Sequence, residues 1–124
     1  MQSQNILNKL VKLFFNIMII NKLYHWNTDY YSRHKATDNF NDKFTELTDK
    51  FVETYIGRYK VKIDIGSIKL EKSYITDDGI IQLFNDSKYY LQKLDNIIKD
   101  TDLLNIRDEI LGEINQTLYL FDLK

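Results

Sequence analysis

Cysteine and proline are both absent from this chain of 124 residues, and glycine occurs only at Gly57, Gly66, Gly79 and Gly112. Without cysteine there are no disulfides, no thiolate metal sites and no thiol nucleophile. Without proline, and with so little glycine, the two strongest helix breakers are missing or sparse, which favours long uninterrupted helices. An excess of one charge is lacking as well. Seventeen basic residues face eighteen acidic ones, so the bulk charge advertises neither nucleic acid nor a membrane surface.

With 44% apolar and 28% charged residues, the chain reads as one globular domain over residues 1–124, large enough for a single modest core. The segment LVKLFFNIMII, residues 10–20, is apolar enough to be compared with a signal peptide. However, Asn21, Lys22, Leu23 and Tyr24 follow it in place of small cleavage-site residues. Lys12 and Asn16 interrupt it, and it is too short to span a bilayer. A buried helix face accounts for it better, and a cytosolic protein is expected.

Ile6, Leu7, Leu10, Val11, Phe14, Met18 and Trp26 recur at helical steps, which predicts a first helix over about Gln4 to Thr28. Asn27-Thr28-Asp29 breaks it, and Asp29 or Ser32 is placed to cap the next. The second helix is predicted from about Ser32 to Tyr55, stopping before Gly57. In YKVKIDIGSIKLEK, residues 59–72, Val61, Ile63 and Ile65 alternate with polar residues before Gly66-Ser67. That pattern fits an extended crossover or a small hairpin.

Thr76 or Asp77 then caps a third helix carrying Ile80, Ile81, Phe84, Leu91, Leu94 and Ile98. Lys99-Asp100-Thr101 connects it to a fourth, with Leu103, Ile106, Ile110, Ile114, Leu118 and Phe121 on one face. Short first and last connections and a long middle one predict an all-α four-helix bundle with a long second-to-third-helix crossover.

Chemistry concentrates in HWNTDYYSRHKATDNF, residues 25–40, which holds the only two histidines, His25 and His34. On the second helix His34 and Asp38 stand four residues apart, and so do Asp49 and Glu53. Each pair can converge on one ion, and all four side chains share an arc of roughly 100°. Asp38 and Asp49 are separated by roughly 16 Å along the axis, so one helix cannot close both pairs around one metal. Either each pair binds separately, or the pairs of two chains meet across a two-fold axis. His25 can add a second imidazole.

A histidine and carboxylate set without thiolates suits Fe(II), Mn(II) or Zn(II). A plainer reading stays open beside it: such spacings arise on many helices, and Asp49 and Glu53 can form a solvated face paired with Lys43 or Lys50. Glu109 and Glu113, without an accompanying histidine, read as surface or subunit-contact residues. The nine tyrosines read as packing and interface residues rather than redox relays. No glycine-rich phosphate loop is present.

The set His25-Trp26-Asn27, then His34 with Asp38 and Phe40, then Asp49 with Glu53, resembles the Dps-like miniferritins of the ferritin-like superfamily. Every interval from His34 to Glu53 agrees with that family's ferroxidase pattern. The resemblance implies a ferritin-like bundle with His25, His34 and Asp38 from one subunit and Asp49 and Glu53 from its two-fold mate. Trp26 is expected beside that site. The implied activity is oxidation of Fe(II) by peroxide or oxygen, with ferric mineral stored in a dodecameric shell built from two-fold dimers.

Three departures accompany the likeness. The interval from His25 to His34 is shorter than the family's usual one, so the turn there is remodelled and His25 is expected to be displaced. The crossover reads as extended where the family carries a small helix. Lys9 and Lys12 do not make the lysine-rich arm that many members use on DNA, so DNA binding is not expected. The overall pattern, including the closing LYLFDLK, is also similar to an uncharacterised ferritin-like family of large DNA viruses and phages. The contrasting expectation is a catalytically silent bundle, a structural or interaction protein in which the polar stripe ties subunits together or holds a structural zinc.

Overall fold

The structure is a computed structural model and describes residues 2–123. Four helices form: α1 (Gln2–Asn27), α2 (Tyr31–Tyr59), α3 (Asp77–Gln92) and α4 (Thr101–Phe121). The architecture is an all-α four-helix bundle with one long crossover between α2 and α3. No strand forms among the described residues.

Leu7, Leu10, Val11, Phe14, Ile17, Ile20 and Tyr24 of α1 fall at three- and four-residue steps and are all buried. The same phase turns Trp26 outward, leaving it 65% exposed, so it does not extend the apolar face as the sequence pattern predicts. One hundred degrees of rotation per residue places Tyr24 and His25 inside and their neighbour outside.

The second helix outruns its predicted end. Gly57 lies inside α2, and the helix closes at Lys60, whose φ of 55° puts it in the left-handed region while its N–H bonds the Ile56 carbonyl at 2.8 Å. A glycine permits a helix end without compelling one.

Residues 60–71 form neither helix nor strand, so the crossover is a strap and not a hairpin. Gly66, with φ of 64°, occupies the left-handed region that favours glycine. Val61 is buried, and Gln4 Nε2 donates to the Lys62 carbonyl at 2.8 Å. The Asp64 N–H donates to Asn8 Oδ1 at 2.9 Å, tying the strap to α1 a second time.

Thr76 caps α3 by accepting the Gly79 N–H at 2.9 Å, while Asp77 and Asp78 set negative charge in its first turn. A Cβ on Gly79 would lie 1.9 Å from the Ser73 carbonyl oxygen, so that position requires glycine. The third helix ends earlier than its periodicity predicts, at Gln92. Leu94 and Ile98 are buried all the same, from a 3₁₀ turn and the link that follows.

Contacts between helix ends fix the topology. Tyr24, near the end of α1, donates to Asp77 at the start of α3 at 2.7 Å. Arg33, near the start of α2, donates to the Asp77 carbonyl at 2.9 Å. The starts of α2 and α3 therefore share one end of the bundle, and the two helices run parallel. At the opposite end Arg58 meets Asp100 at 3.3 Å, where α2 finishes and α4 begins. The order is up-down-down-up. Through the centre, Phe14 packs edge-on against Phe44 and Phe51, with ring centroids 5.9 and 5.8 Å apart. Phe40 joins Phe44 to Phe84 at 4.9 Å on either side.

Candidate metal centre

The upper halves of α1 and α2 meet through polar side chains. Asn21 and His25, one turn apart on α1, both reach Thr37 of α2. Asn21 Nδ2 donates to the Thr37 carbonyl at 3.0 Å, and His25 Nδ1 lies 2.9 Å from Thr37 Oγ1. Asn21 and Thr37 are fully buried and His25 nearly so. The helices are joined by a tight turn in which Thr28 Oγ1, and neither Asp29 nor Ser32, accepts the Tyr30 N–H at 3.2 Å. This turn brings His34 up beside His25. Their rings stack with centroids 3.9 Å apart and 17° between planes. The shortened interval thus leaves His25 in contact with His34 rather than displaced from it.

Hydrogen bonding fixes the tautomer of the neutral His34 ring and bears on that of His25. His34 Nδ1 lies 3.0 Å from the His25 carbonyl oxygen, which can only accept, so Nδ1 carries the hydrogen. Thr37 has one hydroxyl hydrogen, aimed at the Arg33 carbonyl at 2.8 Å and the His34 carbonyl at 3.1 Å. While that hydrogen stays on its own helix the oxygen is the acceptor for His25 Nδ1; turned to the imidazole, the hydroxyl would donate instead. With Thr37 as the acceptor, both rings keep the Nε2 lone pair for another partner. The sealed side-chain atoms lacking a partner among the described residues are Asn21 Oδ1 and Ser87 Oγ, and neither Nε2 is among them.

Asp38, Asp49 and Glu53 are exposed on α2, with His34 also exposed. None of the three carboxylates joins an ion pair among the described residues; the cations of the four pairs found are Arg58, Lys69 and Arg107. The expected pairing of Asp49 and Glu53 with Lys43 or Lys50 does not occur there. Among the described residues no group of three or more histidines and acids comes together as a metal site within one chain. His25 and His34 are brought together; the Asp49 and Glu53 pair stands about four helical turns beyond His34 along α2, and about three beyond Asp38.

Beside Asp49 opens a groove of about 250 Å³ lined by Phe15, Met18, Thr45, Val52 and Ile63. Phe15 and Ile19 are 41% and 40% exposed. Trp26 stands in solvent with the Lys22 ammonium 5.6 Å from its ring. Beneath the histidine pair, Arg33 donates to Tyr24 Oη at 2.9 Å and lies 4.8 Å from the Phe121 ring. Burial pushes the Tyr24 hydroxyl above its usual range, assisted by Asp77 and opposed by Thr28 and Arg33.

Asn21 and Thr37 are the residues that sequence reasoning missed. Their signal was available: both are polar residues at core phase, Asn21 in step with Phe14 and Ile17, and Thr37 in step with Phe40 and Phe44. Glu109 and Glu113 border a separate groove with Lys43 and Glu46 on the α2–α4 face.

Among the described residues no helix is long and apolar enough to cross a membrane. Residues 25–121 match a family of unknown function (DUF5856), and the chain belongs to that family. No curated protein and no solved structure matches it.

Proposed function

We propose that the protein oxidises Fe(II) at a site shared between two copies of the chain and stores the ferric product in a closed homo-oligomer, in the manner of the Dps-like miniferritins. His25 and His34 would offer Nε2, and Asp38 its carboxylate, from one copy. Asp49 and Glu53 would come from a second copy running antiparallel to the first. Fe(II) is the substrate, giving up one electron per ion to peroxide or dioxygen. Nitrogen and carboxylate donors without thiolate suit Fe(II), and they suit Zn(II) or Mn(II) as alternatives.

The observation that carries this reading is the stacked histidine pair with the Nδ1 of each ring engaged. A ligating histidine commonly donates its other N–H to a carbonyl or similar acceptor; His34 does so to the His25 carbonyl, and His25 Nδ1 lies 2.9 Å from the Thr37 hydroxyl. Three exposed carboxylates, without ion pairs among the described residues, would supply the oxygen donors. The up-down-down-up order with one long crossover is the plan of ferritin-like bundles. The apolar groove beside Asp49 gives a second copy something to cover.

A catalytically silent bundle, acting as a structural or interaction protein, is favoured by a different observation. Each imidazole already has a structural task in tying α1 to α2, without any metal.

The test is Fe(II) oxidation, followed by near-ultraviolet absorbance on metal-free protein, with light scattering after size exclusion. The wild type is expected to oxidise iron as an oligomer, while His34→Ala and Asp49→Ala are each inactive. Co-refolding the two variants restores one intact site per mixed dimer if the site is shared, since each copy supplies what the other lacks. Small particles with no oxidation above the buffer rate would instead leave the silent bundle standing.

A further inference from the structure

We infer that Thr37 is the positioning residue of the histidine pair, fixing which nitrogen of His25 is offered to a metal. The inference rests on the reading of His25 and His34 as ligands, and it adds a residue that touches no metal itself.

Thr37 is fully buried where α1 and α2 meet near the turn that joins them. Its single hydroxyl hydrogen is held by carbonyls of its own helix, Arg33 at 2.8 Å and His34 at 3.1 Å. The oxygen is left as an acceptor facing His25 Nδ1 at 2.9 Å. A threonine bonded back onto its helix is ordinarily a local matter. Here the back-bond has a distant result, because while it holds the hydroxyl does not donate to the imidazole. His25 then supplies the hydrogen from Nδ1, and its Nε2 is left with a lone pair.

The effect passes to the second ring. His34 Nδ1 donates to the backbone carbonyl of His25, so the segment that Thr37 holds also orients His34. Asn21 adds a second hold on the same residue through the Thr37 carbonyl. Valine at position 37 would keep the shape of the side chain and remove the acceptor. Serine would keep the acceptor.

The experiment is nitrogen-15 NMR of the imidazoles in metal-free protein at mildly alkaline pH, on wild type, Thr37→Val and Thr37→Ser, followed by Co(II) titration of all three. Wild type and Thr37→Ser are expected to show His25 with Nδ1 protonated and Nε2 bare. Thr37→Val is expected to shift the hydrogen partly or wholly to Nε2. Co(II) affinity should fall by about 10- to 100-fold in Thr37→Val, the usual effect of losing a partner that orients a ligand, and return in Thr37→Ser. A wild-type His25 protonated at Nε2 would overturn the inference without recourse to any variant, and so would a Thr37→Val protein with an unchanged tautomer. A tautomer change accompanied by no Co(II) binding even in wild type would uphold the positioning role and remove the metal reading beneath it.

Discussion

The same two helices, α1 and α2, meet in two chemically different ways. In the middle of the bundle they meet through Phe14, Phe44 and Phe51, whose rings pack edge to face. Towards the α1–α2 turn they meet through Asn21, His25, Thr37 and His34, whose contacts are hydrogen bonds and one ring stack. Aromatic burial is strong and tolerant of small shifts, because it scales with area removed from water. A buried hydrogen bond contributes less but dictates direction, since a misplaced donor or acceptor costs more than the bond gains. The aromatic half holds the helices together, and the polar half determines how two imidazoles face each other.

Substitutions that attack each half separately sharpen the contrast. Phe44→Ala should have the largest effect, a loss of about 3–5 kcal/mol in urea or thermal unfolding, because the site is fully buried and neighbours cannot collapse into it. Thr37→Val should cost about 1–3 kcal/mol, because it leaves the buried Nδ1 of His25 without a hydrogen-bond partner. Should the second loss match the first, the division of labour between the halves would be wrong.

Tyr55, stacked near Phe51 with its hydroxyl donating to the Ser3 carbonyl at 2.8 Å, tests the aromatic half by pH. Burial, with smaller contributions from Tyr59 and Asp100, pushes its pKa up to about 12. An unfolded tyrosine loses its proton near its ordinary value of 10.0, before the folded one does. The stabilisation from this shift is thus complete below pH 10 and is lost as pH rises towards 12. Tyr55→Phe should cost about 1 kcal/mol at neutral pH and flatten the decline in stability across that alkaline window. An equally steep decline in the variant would assign it to other groups.

Asn21→Leu should have the smallest effect, within about 1 kcal/mol, because the lost bond is offset by removal of the unpartnered Oδ1. Even so, it should broaden the His25 and His34 imidazole signals. Sharp, unshifted signals would show that Thr37 alone holds the pair.

The bundle was legible because apolar residues recur at helical steps in all four segments, and no proline confuses the pattern. Helix ends were harder to read. Gly57 looked like a stop, yet nothing crowds it and the helix runs on to Lys60. Leu94 and Ile98 keep the helical period although a 3₁₀ turn and the link after it carry them inward. In the candidate centre, the histidines and acids could be named from type and spacing. Their stacking could not, because it depends on how the turn at Thr28 brings two helix ends together. The role of Thr37 is not legible in the sequence, because a mid-helix threonine has no signature until the partners of its hydroxyl are known.

The strap between α2 and α3 acts as a length gauge for the whole topology. From Arg33 to Lys60 the helix rises about 40 Å, and the chain from Lys60 to Asp77 must travel back over that distance. Fully extended, those residues reach about 56–61 Å, so the slack amounts to only a few residues. Lengthening the strap near Gly66 leaves the return journey possible. Shortening it past that slack does not, and α3 would then have to start where α2 ends and run antiparallel to it. The α3–α4 pair would enter upside down, so the handful of spare residues in an irregular loop selects between two different bundles.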